Sequence, residues 1–271
     1  MESGDSMLDL NKRGKEEPVV VMNFTGVYAL ENFYKQVSYR YLDFSSLRGT
    51  DGYLDHRAYT TIKKNLSSYQ PYGLHFLDNG NYHYLSLFWC EKIKEDFILV
   101  VFDHHADCQP TAFGGLISCG SWILEAFKNP HLKKVLLIGI DPSLMSSIPS
   151  CVYDKVIVLN EDSIENIKNW KIFFDEELSL PLYLSIDKDV LTSQEEITNW
   201  DEGDMHLTTL AEICHLLIMY HEVIGADVCG ESLQDQGQGV VINNRINDFL
   251  LRFFHQHLYM SFSAFPKIGK R

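Results

Sequence analysis

The stretch Ile98 to Asp107, ILVVFDHHAD, constrains this chain more than any other. The apolar run Phe97 to Phe102 predicts a strand buried on both faces of a parallel sheet. It stops abruptly at Asp103, followed by His104, His105, Ala106 and Asp107. If the backbone stays extended, Asp103, His105 and Asp107 share one side, because side chains alternate with period two. Two carboxylates and an imidazole then meet at the carboxyl end of a buried strand, where open α/β sheets bind ligands. Such a cluster is costly in an apolar setting without a compensating cation. The pattern points to a metal site.

A second stretch repeats the arrangement. PLYLSID, Pro181 to Asp187, reads as another buried strand, and SIDKD places Asp187 and Asp189 at alternate positions of its end. Neighbouring parallel strands lie only about 5 Å apart. A carboxylate from each can therefore bridge two cations roughly 3.5–4 Å apart, with a hydroxide held between them. Oxygen-rich ligation with imidazole suits Mn²⁺, with Fe, Co, Ni and Zn left open on ligands alone.

Further apolar runs at PVVVMNFTG, GLHF, VLLIGI, KVIVL and EVIGADV predict strands. Helical patterns are expected at about Ile117–Lys128, over IENIKNWKIFFDEEL, at Leu207–Tyr220 capped by Thr208 or Thr209, and at about Val240–Leu258. In the last of these, Ile242, Ile246, Phe249, Leu250, Phe253 and His257 share a face. Strands alternating with helices predict a three-layer α/β/α fold on a doubly wound, mainly parallel sheet. No linker or repeat divides the chain, so residues 18–271 are expected to form a single domain behind a flexible arm, residues 1–17. The segment Val27–Ser68 carries no clear periodicity.

Composition narrows the class. With 45% hydrophobic and 22% charged residues in 271, a sizeable core can form. A formal charge of −14 argues against nucleic acid or an anionic membrane as partner, and bound divalent cations would neutralise part of it. The opening residues lack a secretory pattern and no apolar run reaches transmembrane length, so a cytoplasmic location is expected. The six cysteines are scattered without a CxxC pair and read as reduced, mostly buried thiols.

Asp103-x-His105-x-Asp107 together with Ser185-Ile186-Asp187-Lys188-Asp189 resembles the two metal motifs of the arginase, agmatinase and formiminoglutamase (ureohydrolase) superfamily. Gly80-Asn81-Tyr82-His83 resembles that superfamily's loop ending in the first histidine ligand. The resemblance implies a binuclear manganese centre, with two Mn²⁺ as cofactors. One ion would take His83, Asp103, Asp107 and Asp187, the other Asp103, His105, Asp187 and Asp189. It implies hydrolysis of a linear C–N bond in a small cationic guanidino compound, or in arginine within a peptide. A metal-bridging hydroxide would act as nucleophile, and Asp107 would pass its proton to the leaving amine. It also implies a homo-oligomer, although no motif here demands one.

The departures from the pattern are specific. Trp122 stands where arginases carry a shuttle histidine. Gly230 stands at the spacing of the glutamate that pairs with the guanidinium, with Glu231 one residue late. Asp141, Asp201 and Glu231 are the candidates for holding a cationic substrate, joined by Glu202, and Trp122 or Trp200 for stacking on it. Two rival readings follow: a histone-deacetylase-like deacylase with one zinc, and a catalytically degenerate metal-binding protein. His104, between two proposed ligands, is expected to point away from them, and His75 is expected to be a surface or packing residue.

Overall fold

The computed structural model describes residues 19–111, 113–164, 178–233 and 237–260. The expected N-terminal arm and the helix over IENIKNWKIFFDEEL lie essentially outside the described residues. Eight strands form one sheet: β1 (Val19–Asn23), β2 (Tyr39–Asp43), β4 (Gly73–Phe76), β5 (Phe97–Phe102), β7 (Leu132–Ile140), β8 (Val156–Asn160), β9 (Leu182–Asp187) and β10 (Val223–Cys229). Their spatial order is β2-β1-β4-β10-β9-β5-β7-β8, and every neighbouring pair is parallel. A small antiparallel pair, β3 (Tyr53–Leu54) with β6 (Ile117–Ser118), sits apart from it.

The sheet is apolar on both faces because its central strands are apolar at most positions, and β5 at all six. In β5, Ile98, Val100 and Phe102 face one core, while Phe97, Leu99 and Val101 face the other. Each such side chain contributes roughly 1.5–3 kcal/mol on burial. Helices α5 (Leu207–Tyr220) and α6 (Gln238–Met260) cover the first face through Leu210, Ile213, Leu217, Ile246, Leu250 and Phe254. Helices α1 (His56–Asn65), α2 (Ser86–Cys90) and α3 (Trp122–Ala126) cover the second through Ile62, Phe88, Trp89, Trp122 and Ile123. A short helix, α4 (Glu161–Ile164), follows β8. The three-layer α/β/α architecture is the expected one.

Several local expectations are corrected. The segment expected to be helical from Ile117 begins as the β6 bridge and a 3₁₀ turn (Cys119–Ser121), and is α-helical only over Trp122–Ala126. Neither Thr208 nor Thr209 caps α5: its N-cap position is His206, which makes no side-chain cap, and Glu195 Oε2 accepts from the Leu207 amide at 2.7 Å. On α6, Phe249 is 40% exposed, and Leu251 and Phe254 take the buried positions beside Ile246 and Leu250. The stretch without periodicity holds β2, β3, α1 and two 3₁₀ turns. All six cysteines are unpaired, and four of them are buried.

Candidate metal centre

The site forms where β5 and β9 end side by side, Phe102 opposite Ile186. Asp103 directly follows β5; its Oδ1 accepts from the His105 amide at 2.6 Å, which folds the chain back at the strand tip. Asp187 ends β9 and accepts from the Asp189 amide at 3.1 Å, opening a 3₁₀ turn (Lys188–Val190) that carries Asp189 inward. Asp189 joins the two tips: its carboxylate accepts from the His104 amide at 3.1 Å and stands 2.9 Å from His105 Nδ1. The extended backbone expected through Asp107 is not observed. Asp107 has φ of 46°, a left-handed conformation in which a non-glycine residue is held at a cost.

His83 arrives from a third element, a 3₁₀ helix (Gly80–Leu85) after β4 that Asn79 caps by accepting from the Asn81 amide at 3.0 Å. Its Nδ1 stands 2.9 Å from Asp107 Oδ2, 3.1 Å from Asp103 Oδ2 and 3.6 Å from Asp187 Oδ2. Its Nε2 is 2.9 Å from Ser185 Oγ, which donates to Asp227 Oδ1 at 2.7 Å. Ser86 donates to the same oxygen at 2.9 Å. This Ser185–Asp227 pair fixes the imidazole so that Nδ1 points at the carboxylates, the outer support that ligating histidines require. Ser185 and Asp227 lie opposite each other in register on β9 and β10. Their signal in the sequence was a polar residue on each of two otherwise apolar strands, and sequence reasoning did not use it.

The structure thus brings together His83, Asp103, His105, Asp107, Asp187 and Asp189, four of them 3% exposed or less. Burial first, then the neighbouring carboxylates, raises Asp187 to about 7 and Asp189 to about 6. Burial works against a charged ring at both histidines. Asp103 and Asp107 nevertheless hold His83 well above the usual imidazole range, and Asp103 and Asp189 carry His105 up to about 12. Four carboxylates against two imidazole rings leave the cluster short of positive charge. His83 Nδ1 and Asp103 Oδ2 are buried without any hydrogen-bond partner, and they face each other. Two subsets, His83–Asp103–Asp107 and Asp103–His105–Asp189, each have all ligand atoms within 4.8 Å of one another. The donors fit the oxygen- and imidazole-ligated divalent ions expected from the sequence.

Trp122 and Glu231, expected as substrate contacts, are corrected by burial. Trp122 is fully buried and donates from Nε1 to Asp107 Oδ2 at 2.9 Å, so it holds that carboxylate and does not face a substrate. Glu231 is likewise fully buried, with Lys188 Nζ at 2.7 Å and Asn247 Nδ2 at 2.7 Å. Asp141 and Asp201 lie outside the cleft lining. Asp141 caps the following 3₁₀ helix through the Ser143 amide at 2.7 Å, and Asp201 is exposed. His104 turns away from the centre as expected, its Nδ1 3.0 Å from Glu161. His75 is a packing residue, stacked on Trp89 at 3.7 Å.

Above the cluster lies a cleft of about 460 Å³ whose floor includes Asp103, His105, Asp107, Asp187 and Asp189. Tyr53 and Ser118, paired between β3 and β6, are part of its lining, as is Trp200. Trp200 is 43% exposed, lies 5.5 Å ring to ring from His105, and donates from Nε1 to Asn81 Oδ1 at 2.9 Å. Beyond the floor residues, Asp51 is the acidic side chain in the lining among the described residues, and Asn81 donates to it at 2.7 Å. Gly230 has φ of 97°, and a Cβ there would stand 2.7 Å from Asp187 Oδ1 and 2.8 Å from the Lys188 amide nitrogen. Only glycine fits.

An uncharacterized protein of Thermotoga maritima is 30% identical over 220 residues, 78% of each chain. Among solved structures, proclavaminate amidino hydrolase from Streptomyces clavuligerus superposes with a TM-score of 0.68 at 15% identity, covering 90% of this chain and 94% of that one. This chain belongs to the family of the Thermotoga protein, on the arginase–agmatinase (ureohydrolase) fold. Formimidoylglutamase from Bacillus subtilis aligns with this ureohydrolase-fold chain at a TM-score of 0.65 and 15% identity, over 92% and 88% of the two chains. Arginase from Bacillus caldovelox aligns at 0.61 and 10%, over 87% and 98%. A scan against protein-family models finds no match. Among the described residues, no helix is long and apolar enough to cross a membrane.

Proposed function

We propose that this protein is a metal-dependent hydrolase of a linear C–N bond in a cationic amidine or guanidino substrate, with two divalent transition-metal ions, Mn²⁺ among them, held by His83, Asp103, His105, Asp107, Asp187 and Asp189. The observation that carries the reading is the convergence of six ligand-type side chains from three chain segments at a sheet's carboxyl edge, with two facing buried donor atoms left unpartnered. When bound, the two ions would supply water activation and charge stabilisation at the cleft floor. The chain's own residues do the rest. Ser185 and Asp227 hold the His83 ring, and Trp122 holds Asp107. Asp107, on the cleft lining, transfers the proton to the departing nitrogen. Tyr53, Trp200 and Asp51 receive a planar cation at the mouth, by stacking and by charge-assisted hydrogen bonding. Because Gly230 leaves no room for an acidic side chain, recognition of the cation falls to these rim residues.

The test is metal analysis followed by a panel of arginine, agmatine, guanidino acids, formimino compounds and arginine-containing peptides, with acetylated amines alongside. Two ions per chain and release of urea or a small amide from one amidine substrate are expected. One ion per chain with turnover of acetylated amines would establish the deacylase reading. Two ions with no turnover would establish the degenerate one.

Trp122→Phe keeps the packing and removes only the hydrogen bond to Asp107. Since a hydrogen bond to a charged group is worth about 1.5–3 kcal/mol, kcat on the substrate found by the panel is expected to fall about 10- to 100-fold with KM little changed. An unchanged kcat would remove Trp122 from the reaction.

A further inference from the structure

Cys229 ends β10 and is fully buried. Its Sγ lies 3.1 Å from Asp187 Oδ2, the same oxygen that stands 3.6 Å from His83 Nδ1. Ligand atoms of the thiol, the carboxylate and the imidazole all lie within 4.8 Å of one another. His83 Nδ1 is buried without a hydrogen-bond partner, and Asp187 Oδ2 at 3.6 Å stands beyond its nearer carboxylate neighbours, Asp107 at 2.9 Å and Asp103 at 3.1 Å. Around one tetrahedral transition-metal ion with metal–sulfur near 2.3 Å and metal–nitrogen near 2.0–2.1 Å, neighbouring donor atoms stand about 3.3–3.6 Å apart. The separations from Asp187 Oδ2 to the thiol and to the imidazole are close to that spacing.

We propose that Cys229 Sγ is a ligand of the ion nearest His83, giving that position a mixed nitrogen, oxygen and sulfur donor set. The inference rests on the two-ion reading above and deepens it. On binding, a sulfur–metal bond forms and the S–H proton now shared with Asp187 is released to solvent. A thiolate donor selects thiophilic ions, so the inner position prefers Co²⁺, Fe²⁺ or Zn²⁺ over Mn²⁺. The outer position, built from Asp103, His105 and Asp189, offers only oxygen and nitrogen and lacks the added preference that a thiolate gives. The two positions are therefore chemically unlike, and a mixed-metal centre is the expected resting form.

The experiment is a titration of the full-length, metal-free protein with Co²⁺, followed by near-ultraviolet absorption and by metal analysis. A thiolate-to-cobalt charge-transfer band is expected, saturating with one of two bound equivalents. It is lost in Cys229→Ser and Cys229→Ala while cobalt still binds, and it survives in Cys119→Ser, whose thiol lies in the cleft lining. In a Co²⁺/Mn²⁺ competition, Cys229→Ser is expected to lose about tenfold or more of the wild-type preference for cobalt. Two cobalt ions bound without the band, or a band that persists in both Cys229 variants, would overturn the assignment and leave the two-ion centre standing. No cobalt bound at all would overturn both. Should the serine variant fold poorly by circular dichroism, the alanine variant and the competition assay on wild type decide the matter.

Discussion

Asp187→Ala is expected to remove metal binding from both positions and to lower turnover on the active substrate by about 10³-fold or more, the scale of losing several kcal/mol of charge stabilisation. The reason is its central place. Its Oδ2 faces both His83 and Cys229, and its Oδ1 receives the amide that turns the chain toward Asp189. Loss of activity alone would be ambiguous, since an unfolded protein is also inactive. Here the two outcomes separate. Burial and like-charge neighbours hold the Asp187 carboxyl up at about 7, so in the metal-free protein the group is a burden on the fold. Metal-free Asp187→Ala should therefore melt within a few degrees of metal-free wild type, while the stabilisation that added metal gives wild type disappears. Two ions retained by the variant would refute the proposed arrangement.

The second large effect is on stability. Lys188, between the two aspartates of the second motif, is fully buried on the far side of the strand tip. Its ammonium donates to Glu231 at 2.7 Å and to Asn243, with Glu196 at 3.9 Å. Burial works against its charge, yet Glu196 and Glu231 more than offset it and raise the lysine. Lys188→Met fills the same space but strands these carboxylates, and breaking a buried pair from one side costs about 3–5 kcal/mol. Denaturant unfolding should show that loss at neutral pH. The deficit is expected to shrink as pH falls. Burial already holds the Glu196 carboxyl well above the usual range against the pull of Lys188, so without the lysine it takes a proton at higher pH than in the unfolded chain, and acid favours the variant's native state. Lys188→Met with Glu231→Gln should recover part of the loss. A single variant as stable as wild type would show that the lysine carries no net charge role.

What was legible in the sequence was local and periodic. The run Phe97–Phe102 and the motif Asp187-x-Asp189 announced two strand ends, and the structure places those ends side by side. Alternation along one strand is set by the chain itself, so it can be read without knowing any neighbour. The destination of Glu231 and Trp122 depends on contacts with α6 and with Asp107 respectively, made by other elements. Nothing in the local pattern distinguishes a carboxylate aimed at a substrate from one aimed at a buried lysine. The helix cap at α5 failed to show for the same reason: its acceptor, Glu195, lies in the preceding loop. Ser185 and Asp227 were readable in principle, as polar interruptions of apolar strands, once the strands carrying them are known to be neighbours.

The crowding at Gly230 has an engineering consequence. Grafting a glutamate there would drive its first carbon into Asp187 and the Lys188 backbone, dismantling the metal cage in the act of adding a substrate contact. Substrate choice would instead be tuned at the side chains of Asp51, Asn81 and Trp200 alone, because Asn81 shares its 3₁₀ helix with His83 and the Gly203 amide of the Trp200 loop donates to the Asp189 carbonyl at 2.7 Å. Those three side chains can be varied as a library while the backbone that carries them, and the strand tips beneath, stay constant.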